Sequence, residues 1–169
     1  QFHDDDAVPD IDTKSPSQID RECAELRKRL DDAGLVAEFA APRLWFDPKT
    51  IDGGFTSNDA GHRAYAVERS LRAVDVARAL GSRDLVLWLA REGTYIRESK
   101  DARIATERIV DAVNRILEHD DEIRVLIEPK PNEPMDQAYV PTIGHALSLA
   151  YKTTDPDRVG GLIETAHAM

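Results

Sequence analysis

The apolar residues of this chain alternate between two spacings. Short, nearly unbroken apolar runs occur at residues 35–41, 84–90, 125–127 and 160–163, and each fits a strand buried on both faces. Between them the apolar positions step by three and four, which is helical spacing. Ser15-Pro16-Ser17-Gln18 predicts a helix start, with a serine cap, proline at the first helical position and glutamine three residues after the cap. Ile19, Cys23, Leu26 and Leu30 then share one face, and Gly34 ends the helix. The run at 35–41 reads as a strand stopped by Pro42. A long loop over 43–58 carries Trp45, Phe46 and Gly53-Gly54, and loops of that size often serve a site. A helix over about 58–80 turns Val67, Leu71, Val74 and Ala77 inward. Asp101 caps a further helix whose inner face carries Ala105, Ile109, Ala112 or Val113, and Ile116, and a third apolar helix spans about 145–151.

The strands end in charge. Val125-Leu126-Ile127 runs into Glu128-Pro129-Lys130-Pro131, where the prolines forbid helix and the strand must stop. Gly160-Gly161-Leu162-Ile163 runs likewise into Glu164, with His167 three residues on. Repeated strand-helix units of this kind predict an α/β protein with a parallel sheet covered by helices. No G-x-G-x-x-G or G-x-x-x-x-G-K-S/T sequence follows any strand, which removes the usual nucleotide motifs of the open sheet. Polar groups after nearly every strand favour part of a (β/α)8 barrel in one partial domain over residues 1–169. If the last two strands are parallel neighbours, Glu128, Glu164 and His167 converge at one end of the sheet and form a candidate divalent-metal site.

Composition narrows the partners. The 169 residues carry a formal charge of −10, which repels phosphate backbones, and no local basic cluster offsets it, so neither nucleic acid nor a membrane is expected as a partner. The single cysteine, Cys23, excludes an internal disulfide, reads as a packing residue, and fits a reducing compartment such as the cytoplasm.

Several segments, in order along the chain, resemble the xylose isomerase family. They are Phe2-His3-Asp4-Asp5-Asp6, Asp52-Gly53-Gly54-Phe55-Thr56-Ser57-Asn58-Asp59, Trp88 before Arg91-Glu92-Gly93, the stretch from Glu128 to Pro134, Pro141-Thr142-Ile143-Gly144-His145-Ala146, and Glu164-x-x-His167. The resemblance implies a TIM barrel, here from the end of its second strand to just past its sixth. It also implies interconversion of an aldose and a ketose, D-xylose and D-xylulose in the first instance, by a 1,2-hydride shift. Two Mg²⁺, Mn²⁺ or Co²⁺ ions and a homotetramer are implied on the same basis.

Carried over residue by residue, Glu128 resembles a ligand of the first ion, Glu164 a bridging carboxylate and His167 a ligand of the second. Lys130 resembles the lysine at the sugar's O1, and His3 the histidine that assists ring opening, oriented by Asp6. Trp88 resembles the indole wall of the site, and Trp45 stands where a phenylalanine is usual. Two departures bear on the sugar. Ala41-Pro42-Arg43-Leu44-Trp45 replaces the threonine and asparagine expected after the third strand, and Leu89-Ala90 replaces two glycines after the fourth. These changes open the substrate to other aldoses such as L-rhamnose. The acidic ligands that the family takes from its last strands lie outside this sequence, so the chain alone is expected to be inactive. A non-catalytic metal- or sugar-binding module and an epimerase-like or endonuclease-like enzyme are the readings from other classes.

Overall fold

A computed structural model of the chain describes residues 1–167. Five strands form one parallel sheet: β1 (Phe2–His3), β2 (Ala40–Ala41), β3 (Asp84–Trp88), β5 (Arg124–Glu128) and β7 (Val159–Gly161), hydrogen-bonded in that order. Two further strands, β4 (Gly93–Thr94) and β6 (Gln137–Ala138), pair antiparallel as a ribbon above the sheet. The helices are α1 (Asp4–Ala7), α2 (Pro16–Asp32), α3 (Ala60–Ala79), α4 (Ala102–His119) and α5 (Ile143–Ala150). In the parallel sheet, order in space follows order in sequence, with helices α2, α3, α4 and α5 in the successive crossovers. A doubly wound sheet reverses its strand order at a switch point, and an unreversed order is the arc of a barrel.

The helix starts follow the sequence. Ser15 and Gln18 form the expected reciprocal cap of α2, Asp59 accepts from His62 N at the start of α3, and Asp101 accepts from Arg103 N and Ile104 N at the start of α4. Along β3 and β5 the side chains alternate. Leu85, Leu87, Val125 and Ile127 join the core formed with Ile109, Val113 and Ile116 of α4. The intervening positions, among them Trp88 and Glu128, turn to the opposite face, the concave side of the arc. A second, smaller core joins Val8, Ile11, Ile19 and Cys23 to Val76 and Leu80 of α3.

Three sequence expectations need correction. The strand over 160–163 is Val159–Gly161, with Ile163 outside it and 70% exposed. The strand over 35–41 shrinks to Ala40–Ala41, with Leu35 and Val36 exposed at 59% and 87%. Its first residues terminate α2 instead: Leu35 N donates back to Leu30 O and Gly34 N to Asp31 O, with Gly34 at φ +67°. That is a Schellman turn, and it uses the backbone that a longer strand would need. The strand over 84–90 ends at Trp88, and Leu89 opens a turn whose carbonyl accepts from Glu92 N. The β4–β6 ribbon has no counterpart in the sequence reading because two-residue strands leave no periodicity to read. Gly93 is required there, since a Cβ would sit 2.6 Å from Gln137 O and 3.0 Å from Ala138 Cα.

Candidate functional site

The C-terminal ends of the five parallel strands share one rim, and the candidate residues stand along it. His3 ends β1, Trp45 follows β2, Trp88 ends β3 and Glu128 ends β5, with Trp88 and Glu128 directly opposite in the register. Glu164 and His167 follow β7, which runs parallel to β5 with Ile127 opposite Gly161. The two glutamates therefore leave the sheet at the same end, as expected.

The aromatic rings form a continuous wall. His3 meets Trp45 edge-on at 5.1 Å between centroids, Trp45 meets Trp88 edge-on at 4.6 Å, and Trp88 stacks on His167 at 6.0 Å with 17° between planes. The Lys130 ammonium lies 5.5 Å from the centre of the Trp88 ring and 3.2 Å from Glu133 Oε2. Its charge is thus shared between a π face and an exposed carboxylate. Trp88 Nε1 is buried and has no hydrogen-bond partner among the described residues.

Glu128 and His167 are in contact, with Oε1 3.0 Å from Nδ1 and both side chains largely buried. His167 Nδ1 is a buried ring nitrogen, and the Glu128 carboxylate is set directly against it. Burial pushes the Glu128 carboxyl up; the His167 and Lys130 charges pull against that, and the Glu164 carboxylate adds to it. Glu164 itself is exposed and accepts from Ala166 N at 3.1 Å. A cavity of about 220 Å³ lies beside them, with Pro129, Pro141, Ile163, Glu164 and His167 in its wall. Among the described residues no three His, Cys, Asp or Glu side chains converge as a cation cage. The donors fit a divalent ion in kind, with two carboxylates and an imidazole carrying a buried nitrogen, but only the Glu128–His167 pair is assembled.

At the other end of the wall the expected His3–Asp6 pair is formed. Asp6 Oδ2 lies 2.9 Å from His3 Nδ1 and accepts from His3 N at 3.2 Å. Burial raises the Asp6 carboxyl, but its close contacts with the His3 ring and backbone and the Arg43 charge outweigh it and hold the carboxyl below its usual range.

The sequence reading gave no role to three residues that build the rim. Arg43 donates through Nε to Asp5 Oδ1 and through Nη2 to Asp6 Oδ1, both at 2.8 Å, and its backbone N–H reaches Asp4 Oδ1 at 3.1 Å. Glu92 is buried and accepts from Gly54 N, Phe55 N and Thr56 N, each at 2.9 Å, and from Thr56 Oγ1 at 2.6 Å. It latches the Gly-rich segment of the long loop onto the turn after β3. Lys100, also buried, donates to Asp52 O and to Gly93 O, tying that loop to β4. Glu92 carried a readable signal, since a charged residue directly after an apolar strand is a rim residue. Arg43 and Lys100 carried none, because the Arg43 partners are 37 or more residues away in the chain and the loop that Lys100 ties down is 48 away. His119 lies 2.7 Å from Asp75 on the outer helix layer, away from the rim.

Comparison with known proteins agrees with this architecture. A protein of Sinorhizobium meliloti 1021 matches with TM-score 0.66 and 28% identity over 86% of this chain and 49% of its own. The IolI protein, solved with a bound zinc atom, matches with TM-score 0.70 and 12% identity over 99% of this chain and 52% of its own. D-psicose 3-epimerase from Clostridium cellulolyticum H10, solved with D-tagatose, matches with TM-score 0.66 and 15% identity over 93% of this chain and 51% of its own. This chain spans about half the length of each. The family profile described as xylose isomerase-like TIM barrel matches residues 2–169, and with the unreversed parallel arc and its polar rim this shows that the chain belongs to the xylose isomerase-like TIM-barrel family.

Proposed function

We propose that this chain supplies the aromatic wall and part of the cation site of a divalent-metal sugar isomerase. Among the reactions open to such a site, the aldose-ketose interconversion of D-xylose and D-xylulose, or of another aldose such as L-rhamnose, is the lead reading. The observation that carries it is the Glu128–His167 contact, made at a buried ring nitrogen, at the foot of a wall of indoles. Glu128, His167 and Glu164 would hold Mg²⁺, Mn²⁺ or Co²⁺, with a second ion sharing Glu164. Bound there, the metal would act as a Lewis acid on the sugar's carbonyl and hydroxyl oxygens.

The remaining roles belong to side chains. The Trp88 and Trp45 faces would pack against the apolar face of the sugar and keep water off it, which discourages proton exchange with solvent. Lys130, held beside Trp88, would stabilise negative charge developing on a sugar oxygen. His3, held by Asp6, would hydrogen-bond the ring oxygen as the sugar opens. Ala41, Pro42 and Leu44 line the rim near Trp45 without a polar side chain, which supports a substrate other than one needing hydrogen bonds there. Assembly as a tetramer is part of the proposal through family membership alone.

Mn²⁺ titration by calorimetry tests the site. Binding should weaken at least tenfold in Glu128→Gln and in His167→Ala. No binding at millimolar Mn²⁺, or binding that survives both substitutions, overturns the reading. A 3-epimerase is the second reading, favoured by the D-psicose 3-epimerase among the structural matches. In a complete barrel turning over in D2O, the two differ. Hydride shift gives product free of solvent deuterium, and epimerisation by proton abstraction gives product labelled at the reacting carbon.

A further inference from the structure

We infer that Arg43 is a positioning residue for His3: it competes with Asp6 for the imidazole Nδ1 and thereby keeps the ring proton on Nε2. The inference rests on the reading of His3 as the group beside the sugar's ring oxygen, and it concerns which kind of hydrogen bond His3 offers there.

The geometry at Nδ1 is the starting point. Two groups approach it at 2.9 Å, Asp6 Oδ2 and Arg43 Nη2. A neutral imidazole nitrogen is either a donor or an acceptor, so it can satisfy one of the two and not both. The carboxylate requires a proton on Nδ1. The guanidinium, which has only N–H groups to offer, requires a lone pair there.

The surrounding bonds favour the guanidinium. Asp6 is already served without the imidazole proton, because Oδ1 accepts from Arg43 Nη2 at 2.8 Å and Oδ2 accepts from the His3 backbone N–H at 3.2 Å. Arg43 Nη2 has two hydrogens, one bound by Asp6 Oδ1, and the second has His3 Nδ1 as its partner. Each tautomer leaves one like contact at 2.9 Å, N–H against N–H with the proton on Nδ1 and lone pair against Asp6 Oδ2 with it on Nε2. The first is the costlier, because that Nη2 hydrogen has no other acceptor among the described residues whereas Oδ2 keeps the His3 backbone N–H. The guanidinium cannot move away, since Nε is held by Asp5 at 2.8 Å and its backbone N–H by Asp4 at 3.1 Å. Asp5 and Asp4 are held in turn by Arg69 from α3. The ring is fixed on its other side by the edge-on contact with Trp45, whose indole also lies 5.9 Å from the Arg43 guanidinium carbon.

The functional consequence follows from the tautomer. With the proton on Nδ1, Nε2 is an acceptor and would bind a sugar hydroxyl. With the proton on Nε2, it is a donor and can hydrogen-bond the ring oxygen, the atom that must gain a proton when the ring opens. Nε2 makes no hydrogen bond among the described residues, and the His3 side chain is one-third exposed. Arg43 belongs to the segment that departs from the family's pattern after the third strand, so the device is a property of this chain's own loop.

The ring nitrogens report the tautomer directly. In a ¹⁵N–¹H multiple-bond correlation spectrum of the chain, at a pH where the ring is neutral, His3 should show a protonated Nε2 and an unprotonated Nδ1. In Arg43→Met the pattern should invert to protonated Nδ1, now donating to Asp6. An inverted pattern in the unsubstituted chain, or the same pattern in both, overturns the inference. Should Arg43→Met fail to fold, Asp6→Ala decides. It removes the competing acceptor and must retain protonated Nε2, and protonated Nδ1 in that variant also overturns the inference. Because the spectrum needs neither metal nor turnover, its failure is separable from failure of the isomerase reading, which rests on Mn²⁺ binding and deuterium content.

Discussion

Glu92→Gln is the sharpest test of how the rim is built. Glu92 is 3% exposed, and no cation pairs with it among the described residues, so its charge is held by hydrogen-bond donors alone. Oε1 takes two backbone N–H groups and Oε2 takes one backbone N–H and the Thr56 hydroxyl. Glutamine keeps the shape but turns one oxygen into a donor. The least costly orientation puts the amide nitrogen where Oε2 stood, so that Thr56 Oγ1 rotates to accept from it and Thr56 N is left unpaired. One buried, orphaned N–H costs about 1–3 kcal/mol, and the surviving bonds fall from charge-assisted to neutral strength. Relief of the buried charge offsets part of this, giving a net loss of roughly 2–4 kcal/mol.

With a urea m-value of about 2 kcal/mol/M, the midpoint should drop by roughly 1–2 M. The loss should be local in origin. Amide exchange at Gly54, Phe55 and Thr56 should accelerate in Glu92→Gln well before that of the β3 and β5 amides. A midpoint within about 0.3 M of the unsubstituted chain, with those three amides still protected, would refute the latch.

Two further outcomes concern the frame behind the site. Asp4 and Arg69 form a buried ion pair, and Asp4→Ala leaves the guanidinium with only Asp12 and the more distant Asp5, so it should cost about 1.5–3 kcal/mol in urea unfolding. An apolar replacement of both partners should recover much of that loss, and equal costs for the single and double variants would contradict the account. Burial, reinforced by Asp20 and Glu22, pushes the Cys23 thiol up to about 11, so it should resist thiol reagents at pH 8 until the chain unfolds. Because the unfolded chain releases that proton first, stability should fall as pH rises from the ordinary thiol range towards 11. Rapid labelling of the folded chain would show that the α2–α3 interface is open.

The starts of α2 and α4 and the direction of the strands were legible in the chain. Local rules govern both: the Ser15 and Asp101 caps act within a single turn, and prolines after Glu128 end a strand wherever it lies. The placing of Glu128 and Glu164 at one rim was legible for the same reason, since parallel strands joined by one helix must share their C-terminal ends.

Contacts between segments far apart in the chain emerge only with the fold. Residues 35–39 look like strand, yet Leu35 N is spent closing the turn that ends α2. His3 and Asp6 read as an isolated pair until the fold brings Arg43 against both. Glu92 reads as a charge at a strand's end, but only the fold shows the loop at 54–56 wrapping its amides around it. In each case hydrophobic patterning has a period and can be read, whereas a hydrogen-bond partner is selected by three-dimensional proximity, which has none.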